Sequence, residues 1–190
     1  LEGIRQDFIL ASKTYSRSKE AAAADIETSL RNLRTDYIDL YQIHNPSAAE
    51  LEQVLSPDGA LAALQEAKEQ GKIGHIGITL HSVDLFKQAV DFDWAETIMF
   101  PYNIVETQGE ALMHRCAEQN VGFIAMKPLA GGALEDAKLP MRFICANPIA
   151  AMISVMLHLY HGPTISYSHA PSFVLASASL FWPCSESSIN

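Results

Sequence analysis

The stretch LRTDYIDLYQIHNP, Leu33–Pro46, decides how the rest of the chain is read. Its centre, Tyr37–Ile43, is rich in β-branched and aromatic residues, and Pro46 cannot continue a ladder, so the stretch predicts a strand with His44 at its tip. Period two along it sets Ile38, Leu40, Gln42 and His44 on one side, a face that starts apolar and turns polar at its end. Such a gradient suits the mouth of a cavity lined by strands.

Working outward, Ile26, Leu30 and Leu33 recur at i, i+4 and i+7 as a helical stripe, with Glu20, Glu27 and Arg31 facing water and Ser16 or Ser18 available to cap its start. Before it, Phe8–Ala11 is a short apolar run that predicts a strand leading to Ser12 and Lys13. Downstream, Ser56 with Pro57 reads as a helix start, Leu61 and Leu64 line one face, and Gly71 stands where a terminal glycine belongs. Ile73–Thr79, Thr97–Phe100 and Val121–Met126 read as strands, and Ser82–Val90 and Gly109–Asn120 as helices. Strands that alternate with crossover helices imply a parallel sheet. The open doubly wound sheet and the closed eight-stranded barrel both use this unit, and element order alone does not choose between them. Gly74 and Gly77 lie inside a strand and form no dinucleotide-binding fingerprint.

A 190-residue chain with 48% hydrophobic and 18% charged residues is globular in class. Its 13 Lys+Arg against 22 Asp+Glu leave a formal net charge of −9, which repels phosphate backbones and anionic lipid heads, so neither nucleic acid nor membrane is expected as a partner. Cys116, Cys145 and Cys184 show neither a disulfide framework nor metal-type spacing, which points to a reducing cytoplasm. Every Lys, Arg, Asp and Glu except Glu186 lies between Leu1 and Arg142. The expected division is therefore a unit over residues 1–148 and a low-charge tail over 149–190. The apolar run Ile144–Tyr160 is too short and too broken, by Asn147 and Pro148, for a membrane span. Leu1–Asp7 shows no leader pattern and opens as a fragment would.

Lys13 and His44 share one placement, the C-terminal end of a parallel strand, where reactive groups gather in barrels. The spacing equally allows Lys13 to begin a solvated loop and His44 to cap a strand. His75, His81 and His114 match no zinc or iron spacing, so no metal is expected; His81 follows Thr79 in a loop.

Five segments then add up to a resemblance. FILASKT (Phe8–Thr14), LRTDYIDLYQIHNP (Leu33–Pro46), GKIGHIGIT (Gly71–Thr79), FPYN (Phe100–Asn103) and GFIAMKPLAGGAL (Gly122–Leu134) resemble the aldo-keto reductases in order and at matching distances, from about Arg5 to Pro148. The similarity is greatest to the bacterial and archaeal branch that often carries a ferredoxin-like domain, although the clustered cysteines of that domain do not occur. The resemblance implies an α/β fold, an incomplete (β/α)8 TIM barrel of five to six parallel units without the N-terminal ones. It implies hydride transfer from NADPH to a small aldehyde or ketone. Lys13 matches the family's catalytic lysine and His44 its histidine; the family's Asp and Tyr precede this lysine, and Asp7 and Tyr15 do not match them. Thr79 and Leu80 match a Ser-Asn pair that binds the nicotinamide amide. Met99 stands where Gln is usual, and Met126 where an aromatic often stacks on the ring, though ordinary core is an equal reading of Met126. The loop Lys127–Gly132, with Lys127, Leu129 and Gly131, is the anion-binding candidate; turn glycines without a ligand would look the same. From about Ile149 the resemblance stops.

The leading reading is an NADP-dependent oxidoreductase whose chain has little activity alone. The alternatives are a Schiff-base lyase acting through Lys13, and a non-catalytic nucleotide-binding or interaction module.

Overall fold

The computed structural model describes residue 5, residues 8–149 and residues 151–153. Six strands, β1 (Ala11–Thr14), β2 (Ile38–His44), β3 (Ile73–Thr79), β4 (Thr97–Pro101), β5 (Gly122–Met126) and β6 (Ala151–Ile153), pair in sequence order, and each pair is parallel. The sheet curls into a half-barrel, so the parallel barrel reading holds over the open alternative. Helices α1 (Lys19–Leu33), α2 (Ala48–Val54), α3 (Ala60–Glu69), α4 (Val83–Ala89), α5 (Glu110–Glu118) and α6 (Lys138–Cys145) form the connections. None of the described helices is long and apolar enough to cross a membrane.

Alternation along the strands makes two separate apolar faces. Tyr41, Ile43, Ile76, Ile78, Ile98, Phe100, Phe123 and Ala125 pack with Ile26 and Leu30 of α1, Leu64 of α3 and Phe86 of α4 in the main core. There Phe86 lies 4.9 Å from Phe100 and 5.8 Å from Phe123, ring centre to ring centre. The other face carries a smaller cluster, Leu40, Met99, Ile124 and Ala151, with Ala11, Met126 and Ile153 against it. This is the inside of the half-barrel.

The structure moves several boundaries. The first strand is Ala11–Thr14, not Phe8–Ala11: Phe8 and Ile9 are exposed, and pairing of Ala11 with Leu40 sets the strand, a partner that local hydrophobicity does not reveal. Lys13 therefore lies within the strand. Ser56 and Pro57 do not start a helix. Ser56 Oγ donates to the carbonyl of Gln53 at the end of α2, and α3 begins three residues later behind Gly59. Sequence reading missed α2, although its capping box is local: Ser47 accepts from the Glu50 amide while the Glu50 carboxylate accepts from the Ser47 amide. Ser18, not Ser16, stands at the start of α1, without a side-chain cap. A sixth strand forms at 151–153, inside the segment set apart as a low-charge tail. Residues 150 and 154–190 of that tail, and Asp7, lie outside the described residues.

The β1–α1 connection, which carries Tyr15 and Arg17, is held against the start of α3. The Lys19 amide donates to the Asp58 carbonyl at 2.8 Å and the Ala60 amide to the Arg17 carbonyl at 2.9 Å, with Ser18 and Gly59 bridged antiparallel between them. A Cβ on Gly59 would stand 2.2 Å from the Gln53 carbonyl oxygen and 2.3 Å from that of Val54, backbone atoms that cannot rotate away. Gly59→Ala is expected to lower unfolding free energy by about 1–3 kcal/mol, the cost of overpacking, measured by urea denaturation.

Candidate active site

The ladders fix which side chains meet inside the half-barrel. Lys13 pairs with Gln42, and Gln42 with Gly77; His44 pairs with Thr79, Thr79 with Met99, and Met99 with Ile124; Pro101 pairs with Met126. Because partners in register share a face, Lys13, His44, Thr79, Met99 and Met126 all lie on the inner side, at or near the C-terminal ends of their strands. Gln42 and Thr97 lie below them and flank Gly77, where a Cβ would stand 2.2 Å from Thr97 Oγ1 and 3.3 Å from Gln42 Cγ. Both polar groups are buried, and Gln42 Nε2 and Thr97 Oγ1 have no hydrogen-bond partner among the described residues.

His44 is the centre of this arrangement. Its Nδ1 lies 2.9 Å from Thr79 Oγ1, and its ring centre lies 4.2 Å from that of Tyr15. Arg17 donates to the His44 carbonyl at 2.9 Å and pairs with Glu50 at 3.3 Å, so α2 is tied to the strand end. Burial, then the charges of Lys13, His81 and Arg17, hold the imidazole down at about 4, well below its ordinary value. Lys13 is lowered too, by burial, and among the described residues it has no ion-pair partner. Among the described residues the mouth thus holds an ammonium without a paired carboxylate, beside a neutral imidazole.

The second half of the site is a set of turns. Lys127 follows β5 with φ 57°, and its carbonyl accepts from Asn103 Nδ2 at 2.9 Å. Asn103 is fully buried, its Oδ1 accepts from the amides of Val105 and Glu106, and its amide group also reaches the Glu106 carboxylate. Asn103 lay inside the FPYN motif, but its task of pinning the Lys127 turn was not legible there. Lys127 is exposed and close enough to His81 to lower its pKa, after burial and against the opposing pull of Glu106. The His81 amide is held by Asn45 Oδ1 at 3.2 Å. Leu129 opens a short 3-10 turn over Ala130–Gly132. Gly131 has φ 69° and Gly132 φ 98°, and no atom lies within 4 Å of either would-be Cβ, so backbone conformation requires these glycines here.

The structure does not bring Leu80 to this mouth. Its side chain is fully buried in the core on the helix side, while its amide donates to the Met99 carbonyl at 2.8 Å. Tyr15, set aside on sequence grounds, and Arg17, not considered there, both stand beside His44. A cleft of about 400 Å³ lies at the opposite end of the strands, ahead of β4 and β5, lined by Asp91, Phe92, Asp93, Glu96, Gln119 and Asn120 among others. Asp91 and Glu96 there are paired with Arg115 and Lys68, and the cleft lies at the strand ends opposite those that carry Lys13 and His44.

A profile of the Aldo/keto reductase family matches residues 1–147. An uncharacterized oxidoreductase of Bacillus subtilis (strain 168) is 27% identical over 151 residues, 73% of this chain and 48% of its own. Among solved structures, an aldo-keto reductase from Bacillus halodurans in its holo form superposes with TM-score 0.61 at 30% identity, covering 70% of this chain and 47% of that one. An aldo/keto reductase from Klebsiella pneumoniae in complex with NADP and acetate gives TM-score 0.59 at 25% identity, covering 71% and 48%. The chain spans less than half the length of the first curated relatives it matches.

The depressed imidazole gives a pH signature. An unfolded His44 takes up its proton near its ordinary value of 6.5, but the folded one only near 4. Stability is therefore complete above about pH 6.5 and falls as pH drops from there toward 4, and His81, lowered as well, adds in the same direction. Urea unfolding across this window is expected to show a slope that His44→Gln flattens.

Proposed function

This chain belongs to the aldo/keto reductase family, and from that premise we propose that it carries the lysine, the histidine and the nicotinamide side of an NADPH-dependent reductase of small aldehydes or ketones. The observation that carries the reading is the placement of Lys13 and a neutral His44 on one inner face. Among the residues present, Met99 and Met126 offer an apolar, polarizable surface on that face, suited to a flat ring. Lys127, exposed and without an ion pair among the described residues, and the left-handed turns after it suit a phosphate. The group fits in these respects; Thr79 fits less well as a carboxamide partner, since its hydroxyl is already engaged with His44. When bound, the reduced nicotinamide supplies a hydride.

The protein's own part is to hold the carbonyl oxygen and to stabilise the negative charge that develops on it. A neutral imidazole can donate one hydrogen bond to that oxygen, and the Lys13 ammonium, in a partly buried site, places positive charge where negative charge develops. A nucleic-acid partner does not fit the formal charge of −9, and cysteines without a pairing pattern suit a cytoplasmic setting.

One observation also favours a second reading. Lys13 is desolvated and, among the described residues, unpaired, the condition that makes a lysine amine nucleophilic toward a carbonyl, as a Schiff-base lyase requires.

NADPH fluorescence titration of the 190-residue chain is expected to saturate, and Lys127→Met to weaken it about tenfold, a lost charge-assisted contact. Turnover of an aldehyde panel by this chain alone is expected to be small: no carboxylate pairs with Lys13 among the described residues, and Tyr15 is 60% exposed. A folded chain that binds no NADPH would refute the reductase reading. Borohydride trapping of an aldehyde on Lys13, located by mass spectrometry, would replace it with the lyase.

A further inference from the structure

Thr79 sits at the end of β3, fully buried, with a hydroxyl that has two neighbours. The Asn45 amide donates to the Thr79 carbonyl at 2.8 Å and also reaches Thr79 Oγ1 at 3.0 Å, so the hydroxyl oxygen shares one backbone hydrogen bond. The other neighbour is Nδ1 of His44 at 2.9 Å, and among the described residues it is the one acceptor within reach of the hydroxyl proton. If the imidazole instead carried its proton on Nδ1 and donated it to Oγ1, the hydroxyl would be a buried donor with nothing to receive it, an arrangement that folded proteins avoid.

We propose that Thr79 is a positioning residue: its hydroxyl donates to Nδ1 of His44 and so holds the ring as the Nε2–H tautomer, leaving its single donor for the mouth of the half-barrel. The resemblance assigned this position to the cofactor's amide, whereas the geometry gives its hydroxyl to the histidine. The groups around the ring act in the same sense. Lys13 from β1, Arg17 from the β1–α1 connection and His81 after β3 are basic, the Tyr15 ring covers one side, and among the described residues no carboxylate counts among the charges that shift the ring. A neutral ring with a fixed tautomer is a donor at one nitrogen and an acceptor at the other, so Thr79 decides which nitrogen a carbonyl oxygen can use. Only that consequence rests on the reductase reading; the hydrogen-bond assignment does not.

The sign of a titration separates the two assignments. A hydroxyl that donates to Nδ1 stabilises the neutral ring, so removing it raises the protonation midpoint of His44. A hydroxyl that accepts from Nδ1–H stabilises the charged ring as well, and removing it lowers the midpoint. The experiment is nitrogen-detected NMR of the full 190-residue chain labelled at histidine, with His44 assigned by its loss in His44→Gln, and with Thr79→Val and Thr79→Ser compared. In the unsubstituted chain Nδ1 is expected to be bare and Nε2 to carry the proton above the midpoint. Thr79→Val, near-isosteric, is expected to raise the midpoint by roughly half to one pH unit, and Thr79→Ser to preserve it. A proton found on Nδ1, a midpoint unchanged or lowered in Thr79→Val, or a Thr79→Ser chain that behaves like the valine variant would overturn the proposal. Should Thr79→Val not fold, the tautomer of the unsubstituted chain and the serine variant still decide it. NADPH binding is read separately. The expected titration without cofactor binding would sink the reductase reading and leave the tautomer standing; cofactor binding with the opposite titration would do the reverse.

Discussion

Everything at the mouth depends on the parallel register of β2 against β3, which sets His44 opposite Thr79. A slip of one residue would turn every side chain of the strand to the other face. His44 would then face the helix-side core, and Ile43 the inside. The register is enforced by the two apolar sets it separates: Tyr41, Ile43, Ile76 and Ile78 fit only under the helices, and Leu40 fits the inner cluster. The hydrogen bond between the two strand ends is thus secured by packing several residues away.

Charge is distributed against the average of the molecule. The chain carries a net −9, yet Lys13, Arg17, His81 and Lys127 lie around the mouth, and Glu50 and Glu106 are tied to Arg17 and Asn103. Two consequences follow from the same field. An anionic ligand is drawn to this end of the strands, and the imidazole is kept neutral where it can donate a hydrogen bond without carrying charge. At the other end Asp91 and Glu96 are paired with Arg115 and Lys68.

The loops owe their shapes to a few polar anchors. Asn45 binds the amide of His81, Asn103 binds the carbonyl of Lys127, and Arg17 binds the carbonyl of His44. Asn45 and Lys127 sit at positive φ, which a side-chain or backbone hydrogen bond must hold in place. Each anchor spans at least 24 residues of sequence, so these turns take their form from the finished sheet.

Much was legible in the sequence because it is local. The alternation of strand and helix, the two-residue period that put Gln42 and His44 on one side, and the placement of Lys13 and His44 near strand ends follow from patterns within a few residues, and parallel pairing follows from the crossover lengths. What required the tertiary structure is what joins distant segments. The first strand moved to Ala11–Thr14 because β2 selects its partner, Leu80 turned into the helix-side core with its amide held by the Met99 carbonyl of the next strand, and Tyr15 came to His44 through a connection pinned by α3. The hydroxyl of Thr79 could be placed on a strand end from sequence, but which atom it bonds is fixed only by the ladder that carries His44 alongside it. Periodicity determines the face a side chain takes, and register between strands determines the neighbour it meets.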